Sequence, residues 1–149
     1  MTVIVWDGKT LAADRMVSRG MVKAGTTTKI QRLKNRHLVG GCGTHNVVRR
    51  MMAWYEAGAS AAEYPDDIKL PSDHEDMSSL IVVSPDGRIH VYDGAPAPLL
   101  CENRQMAWGM GAAAALAAMY CGKTATEAVV IANMICDGCG NGVDTLELV

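Results

Sequence analysis

Residues 1–16, MTVIVWDGKTLAADRM, decide the first element of the fold and place a candidate nucleophile at its start. The β-rich run Thr2–Trp6 and the apolar stretch Thr10–Ala13 flank Asp7-Gly8, a dipeptide typical of two-residue hairpin turns. The stretch therefore predicts a tight β-hairpin. Its first threonine follows the initiator methionine directly, so it is either the start of a strand or a residue that becomes the N-terminus.

The segments that follow predict more antiparallel strands. Alternation and apolar runs indicate strands at Met16–Val22, Thr26–Leu33, His37–Cys42, Gln105–Trp108 and Val143–Val149, and a second hairpin from Ser79–Val83 and Arg88–Tyr92. The third of these strands runs into a glycine-rich turn at Gly40–Gly43. The residues Ser84-Pro85-Asp86-Gly87 supply the turn chemistry of the second hairpin.

Apolar residues at helical spacing predict three helices. They span about Asn46–Ala57, Met110–Tyr120 and a segment that begins with the capping-box pair Thr124 and Glu127 and ends near Ile135. The acidic stretch Glu63–Asp76 contains two prolines and predicts a loop. Because strands and helices do not alternate, this order favours an α+β layered fold of antiparallel sheets with helices outside, in a single domain over residues 1–149.

Composition excludes several function classes. The net charge of −2 and the absence of a basic cluster argue against nucleic-acid binding. The longest apolar run is far shorter than the ~20 residues that span a bilayer, so no membrane role is expected. Five cysteines, an odd number, together with the lack of a signal peptide, predict free thiols in the cytoplasm.

Three short motifs suggest cofactors or metals only weakly. Gly109–Ala114 matches G-x-G-x-x-A but lacks the second strand with its acidic residue, so close helix packing explains it better. Cys136–Cys139 is a CxxC without further zinc ligands at suitable spacing, and is better explained as a turn. An EF-hand-like start at Asp137 has Leu148 at its twelfth position. We expect neither a cofactor nor a metal.

A terminal threonine can combine nucleophile and base in one residue. If Met1 is removed, the α-amine of Thr2 titrates close to neutral pH and can accept the proton of its own hydroxyl. Such chemistry also needs a cation, a buried acid that orients it, and backbone amides for the oxyanion. Asp14, Lys29 and the Gly40–Gly43 turn offer these groups.

The order of these segments resembles the proteasome β-type subunits, particularly the bacterial HslV peptidase. The likeness lies in TVIVWDGKTLAAD, TKIQRL, HLVGGCGT, AWGMGAAAALAAMY, TATEAVVIANMIC and DTLELV, and it covers nearly the whole chain. It implies an N-terminal-nucleophile hydrolase with a four-layer αββα sandwich of two antiparallel sheets. The chain is shorter than typical members, with the shortfall at Glu63–Asp76.

The resemblance implies site residues position by position. Thr2 is the nucleophile, Lys29 assists removal of its proton, Asp14 orients Lys29, and the Gly43 amide contributes to the oxyanion hole. Ser18 pairs its backbone with an extended peptide substrate. Less directly, the likeness places Arg15, Met16, Gly41 and His45 near the substrate cleft.

Two departures from the family pattern bear on activity. Met110 stands where a serine usually lies close to the nucleophile's amine. After the last helix, Asp137 is retained, but Gly140 stands where a serine is expected.

The sequence thus predicts a threonine endopeptidase that forms an acyl-enzyme on Thr2 within a homo-oligomeric ring. The resemblance implies six or seven subunits, in one ring or two stacked rings, peptides or unfolded proteins as substrates, and an ATP-dependent unfoldase as partner. A catalytically silent ring scaffold and a small-molecule amidase of the same fold remain alternatives.

Overall fold

A computed structural model describes residues 1–65 and 78–149. Within these ranges the strands are β1 (Val3–Trp6), β2 (Thr10–Asp14), β3 (Met16–Arg19), β4 (Val22–Thr26), β5 (Ile30–Arg32), β6 (Leu38–Cys42), β7 (Ser79–Val83), β8 (Ile89–Asp93), β9 (Leu99–Cys101), β10 (Met106–Gly109) and β11 (Val143–Glu147). The helices are α1 (His45–Glu56), α2 (Ala112–Tyr120) and α3 (Ala125–Ile135), with a 3-10 helix at Ala61–Glu63.

The strands form two large antiparallel sheets and one separate hairpin. The first sheet has the order β10-β1-β2-β11 and the second β5-β6-β7-β8-β9, while β3 and β4 pair only with each other. All of these pairings are antiparallel, as the sequence predicts. The fold class is therefore α+β.

The alternation of side chains along β1 explains how the layers stack. Val3 and Val5 face α2 and α3, whereas Ile4 and Trp6 face the second sheet, so this continuous apolar strand is buried on both faces. A third cluster, which includes Val39, packs α1 on the outer face of the second sheet. The order helices, sheet, sheet, helix confirms the four-layer αββα sandwich.

The first hairpin forms with its turn one residue later than predicted. Trp6 pairs with Leu11, so Gly8 and Lys9 are the two loop residues instead of Asp7-Gly8. The cause is the backbone of Gly8, whose φ of +97° suits the first position of a type II′ turn. The Asp7 carboxylate accepts from the backbone amide of Lys9 at 3.0 Å.

Two strand predictions need correction, and one strand was not predicted. Met16–Val22 is not one strand, because Gly20 has a φ of +59° and reverses the chain between β3 and β4. Only Ile30–Arg32 of the predicted strand Thr26–Leu33 is extended in a sheet. The short edge strand β9 was not predicted, because three residues carry too little alternation to recognise.

The helices match their predictions within two residues at each end. Thr124 caps α3: its side-chain oxygen accepts from the Glu127 amide at 3.2 Å, and the Glu127 carboxylate accepts from the Thr124 amide at 2.8 Å. The capping box is therefore confirmed. Of the predicted loop Glu63–Asp76, residues 66–76 lie outside the described residues.

Candidate active site

Asp14, at the end of β2, lies at the centre of the candidate site. Its side chain is fully buried, and its Oδ1 accepts hydrogen bonds from the Thr2 hydroxyl at 2.8 Å, the Val3 amide at 3.0 Å and the Lys29 ammonium at 2.8 Å. The hairpin places Asp14 beside Thr2 because β1 and β2 pair directly. One carboxylate oxygen thus holds the candidate nucleophile and the candidate cation together.

The second carboxylate oxygen of Asp14 ties two further segments to the site. Its Oδ2 accepts from the backbone amides of Met16 at 3.3 Å and Gly140 at 3.1 Å. Arg15 and Gly140 are also joined by a backbone bond of 3.0 Å between the amide of Arg15 and the carbonyl of Gly140. The loop after α3 is therefore part of the support for Asp14, a role the sequence does not reveal because the glycine contributes only its backbone.

The backbone of Thr2 packs against the glycines on either side of Met110. Thr2 is 4% exposed, and its carbonyl accepts a hydrogen bond from the Gly111 amide at 3.3 Å. Gly109 has a φ of +91°, and a Cβ there would come within 2.3 Å of the Thr2 carbonyl oxygen. The glycines around Met110 therefore allow the close approach to Thr2, consistent with a packing role for this motif.

Lys29 contacts the peptide bond that joins Met1 to Thr2. Its ammonium donates to the Met1 carbonyl at 3.2 Å in addition to Asp14, and its side chain is 11% exposed. The cation therefore bridges the buried carboxylate and the Met1–Thr2 peptide bond.

A cleft of about 870 Å³ opens beside Thr2 and Lys29. It brings together seven of the predicted site residues, namely Thr2, Met16, Ser18, Lys29, Gly41, Gly43 and His45. Asp14 is buried beneath the cleft and does not line it. Arg15 does not line it either: its Nε lies 3.2 Å from Asp144 Oδ2.

Two glycines shape the cleft wall. Gly43 has a φ of +113°, and a Cβ there would lie 2.5 Å from the Ser78 hydroxyl oxygen. Ser78 is buried and accepts from the Thr44 amide at 3.0 Å, so it fixes the turn that carries the Gly43 amide. Sequence reasoning missed Ser78, since it is 35 residues from Gly43 with no shared motif. At Gly41, a Cβ would lie 2.2 Å from Val48 Cγ1.

Met110 and Met1 both lie against Gly138, in the loop after α3. A Cβ built on Gly138 would lie 2.5 Å from the Met110 sulfur and 2.9 Å from the Met1 Cβ. Met110 is half-exposed and contributes an apolar side chain at this edge of the site.

The CxxC pair Cys136–Cys139 lies within this loop, and its buried Cys139 is not a reactive thiol. Burial, followed by the nearby charge of Asp14, raises the pKa of the Cys139 thiol to about 12, so it remains protonated at neutral pH. The Cys139 amide donates to the Cys136 carbonyl at 3.1 Å, as in a turn. Within residues 1–65 and 78–149, no group of three His, Cys, Asp or Glu side chains could hold a metal ion.

The described part of the chain has no helix that is both long and apolar enough to cross a membrane.

Comparison with solved structures identifies the fold. The chain is similar to a Thiobacillus denitrificans protein called BPH, with 20% identity, a TM-score of 0.68, and 100% of this chain and 99% of that chain covered. The same protein in complex with epoxomicin gives 21% identity, a TM-score of 0.68 and complete coverage of both chains. Eukaryotic HslV from Trypanosoma brucei gives 22% identity and a TM-score of 0.72, with 98% of this chain and 97% of that chain covered.

No family model matches the chain, and no curated protein matches it. The structural likeness extends over nearly the full length of each neighbour. The chain therefore shares the four-layer αββα fold of these structures.

Proposed function

We propose that this chain is a threonine peptidase whose nucleophile is Thr2 after removal of Met1. The observation that carries the proposal is the shared carboxylate oxygen of Asp14, which binds both the Thr2 hydroxyl and the Lys29 ammonium at 2.8 Å. Burying such a charged pair costs free energy unless its geometry is good. An apolar sheet can be stabilised by packing alone, so a purely structural role does not explain the buried Asp14–Lys29 pair.

Removal of Met1 gives Thr2 its own base. The freed α-amine takes the hydroxyl proton as Oγ1 attacks the substrate carbonyl carbon, which becomes tetrahedral. Collapse of that intermediate breaks the C–N bond, and the ammonium returns its proton to the leaving amine. Water, deprotonated by the same amine, then hydrolyses the ester on Thr2 and regenerates the hydroxyl.

Electrostatics at the site support this sequence of steps. The Lys29 ammonium favours a neutral amine nearby and stabilises negative charge that develops on Oγ1. Asp14 balances the charge of Lys29 and fixes its position. We assign the Gly43 amide, which lines the same cleft as Thr2, to the developing oxyanion.

The cleft suits an extended peptide. In our proposal the backbone around Ser18 pairs with the substrate, and Met16, Gly41 and His45 contact its side chains. We propose a homo-oligomeric ring of six or seven subunits that admits only unfolded chains; the structural similarity to HslV supports the ring. An ATP-driven unfoldase is the corresponding partner, and the cytoplasm remains the predicted location.

Intact mass spectrometry tests the proposal directly. We expect the mature chain to lack one methionine residue and to gain a single adduct with an electrophilic peptide selective for terminal threonine. Epoxomicin, which the T. denitrificans protein binds, is expected to block peptide hydrolysis. A chain that keeps Met1 and remains unmodified would contradict the proposal.

Lys29→Ala is expected to lower kcat by at least ~10²-fold. Removal of one preorganised electrostatic group from the active sites of other enzymes has an effect of this size. Size-exclusion chromatography should show the assembly unchanged. Lys9→Ala is the matched control, because the Lys9 side chain forms an exposed pair with Glu147 at 3.9 Å. Near-normal kcat in the Lys29 variant would reject its assigned role.

A catalytically silent ring scaffold is the second candidate. Met110 favours this candidate: it lies against Gly138, as Met1 does, and its thioether offers no hydrogen-bonding group comparable to a serine hydroxyl for a freed Thr2 amine. The two candidates differ in the fate of Met1: the scaffold keeps it, whereas the peptidase loses it. A small-molecule amidase would lose Met1 as well, but would leave peptides intact.

A further inference from the structure

One wall of the cleft is a single face of α1. The residues of α1 that line the cleft recur at helical spacing, and they are His45, Val48, Arg49, Met52, Ala53 and Glu56. Residues 27–32, which include β5, also line the cleft. A helix face and a strand therefore both border the space that a peptide would occupy.

The charges on these walls are predominantly positive. Lys29, Arg32 and Arg49 line the cleft, against one lining carboxylate, Glu56 at the far end of α1. Asp14 neutralises Lys29 from below, but no carboxylate of residues 1–65 or 78–149 pairs with either arginine. The chain as a whole carries a net charge of −2, so this concentration of cations is local to the cleft.

The two arginines differ in their freedom to bind a substrate. The Arg32 guanidinium already donates to the backbone carbonyl of Glu147. Arg49 is exposed, and in the described part of the chain it has no hydrogen-bond or ion-pair partner. A guanidinium offers a paired set of donors that matches a carboxylate.

The position of Arg49 along α1 places it near the reacting bond. The helix begins two residues after Gly43, and a rise of 1.5 Å per residue puts the Arg49 backbone roughly 9 Å from that turn. An arginine side chain spans most of such a distance. Its guanidinium can therefore reach side chains of the substrate close to the scissile bond, whereas Glu56 lies almost two turns farther along the helix.

We propose that the cleft selects peptides with an acidic side chain close to the scissile bond, through a charged contact with Arg49. The inference rests on the proposed peptidase function and adds its substrate preference. Attraction of this kind is weakened by salt, because the Debye length falls from about 10 Å at 0.1 M to about 3 Å at 1 M.

A matched set of fluorogenic peptides tests the proposal. Each peptide carries Glu, Gln or Lys at one of the first three positions on the acyl side of the scissile bond. At one position or more, we expect kcat/KM for Glu to exceed that for Gln by about two- to fivefold at low salt, the range of an exposed ion pair. The ratio should fall towards one in 1 M NaCl.

Variants assign the preference to its residue. Arg49→Gln should abolish the Glu-to-Gln ratio, and Arg49→Glu should favour the Lys peptide. Arg88→Gln makes the same charge change at an exposed pair with Asp86 and should retain the ratio. Equal rates for all three peptides, or a preference that survives both Arg49 substitutions, would overturn the proposal.

Peptide binding separates this inference from the function on which it rests. Fluorescence anisotropy with the inactive Thr2→Ala variant measures the affinity for Glu, Gln and Lys peptides without cleavage. Tighter binding of the Glu peptide that depends on Arg49 supports the inference even if the wild-type chain hydrolyses none of them. Equal affinities would refute it even if hydrolysis is observed.

Discussion

Thr2→Ala is expected to lower kcat/KM for peptide hydrolysis by at least ~10⁴-fold, because it removes the only atom proposed to form the acyl-enzyme. The loss should appear in single-turnover kinetics as the absence of an acyl intermediate. Since the Thr2 side chain is almost fully buried, the variant also loses one hydrogen bond to Asp14, at a cost of about 1 kcal/mol in stability. The fold should therefore persist.

Thr2→Ser is the matched control for this prediction. Serine keeps the hydroxyl that donates to Asp14 and differs only by the methyl group, so it should retain far more activity than alanine. A wild-type chain that keeps Met1 should be as inactive as the alanine variant, because its Thr2 nitrogen is an amide and cannot act as a base. Substantial hydrolysis by Thr2→Ala or by the chain with Met1 would place the nucleophile elsewhere.

Asp14→Asn is expected to lower the free energy of unfolding by about 3–5 kcal/mol, the range for removing one partner of a buried ion pair. The carboxylate is fully buried and accepts five hydrogen bonds, two of them on Oδ2 from the backbone amides of Met16 and Gly140. The NH2 group of asparagine would face hydrogen-bond donors at the position of one of the two carboxylate oxygens, where no acceptor is available. The substitution would also leave Lys29 without its counter-charge. Urea unfolding followed by circular dichroism measures the change.

Asp86→Asn serves as the control for the Asp14 variant. Asp86 lies in the β7–β8 turn, and its pair with Arg88 is exposed at 3.2 Å, so its loss should lower the free energy of unfolding far less than the loss of Asp14. Comparable losses of unfolding free energy in the two variants would show that the hydrogen bonds around Asp14 stabilise the fold no more than an exposed ion pair does. Refolded Asp14→Asn should also hydrolyse peptides at least ~10²-fold more slowly, since Lys29 is no longer oriented.

Sequence patterns correctly predicted the structural elements that are stabilised by residues close together in the sequence. The capping box of Thr124 and Glu127 lies within one helical turn, and the first hairpin needs only a glycine between two β-rich runs. The placement of Thr2 beside Asp14 follows from that hairpin, because pairing of its strands brings its two ends together. Patterns failed where the signal was short, as in β9, or where one glycine divides an apparent strand, as at Gly20.

The sequence by itself determined the α+β layering and identified the candidate nucleophile, acid and cation, since strand alternation, helix caps and residue chemistry are properties of short segments. Only the tertiary structure decided what surrounds these groups. Gly140 reaches Asp14 across 126 positions of sequence, and Ser78 supports Gly43 through backbone and hydroxyl contacts that no motif encodes. The positive cleft around Arg49 likewise arises only when the fold brings α1 and residues 27–32 to the same cleft. Such arrangements depend on long-range packing, which fixes distances between residues that no local pattern relates.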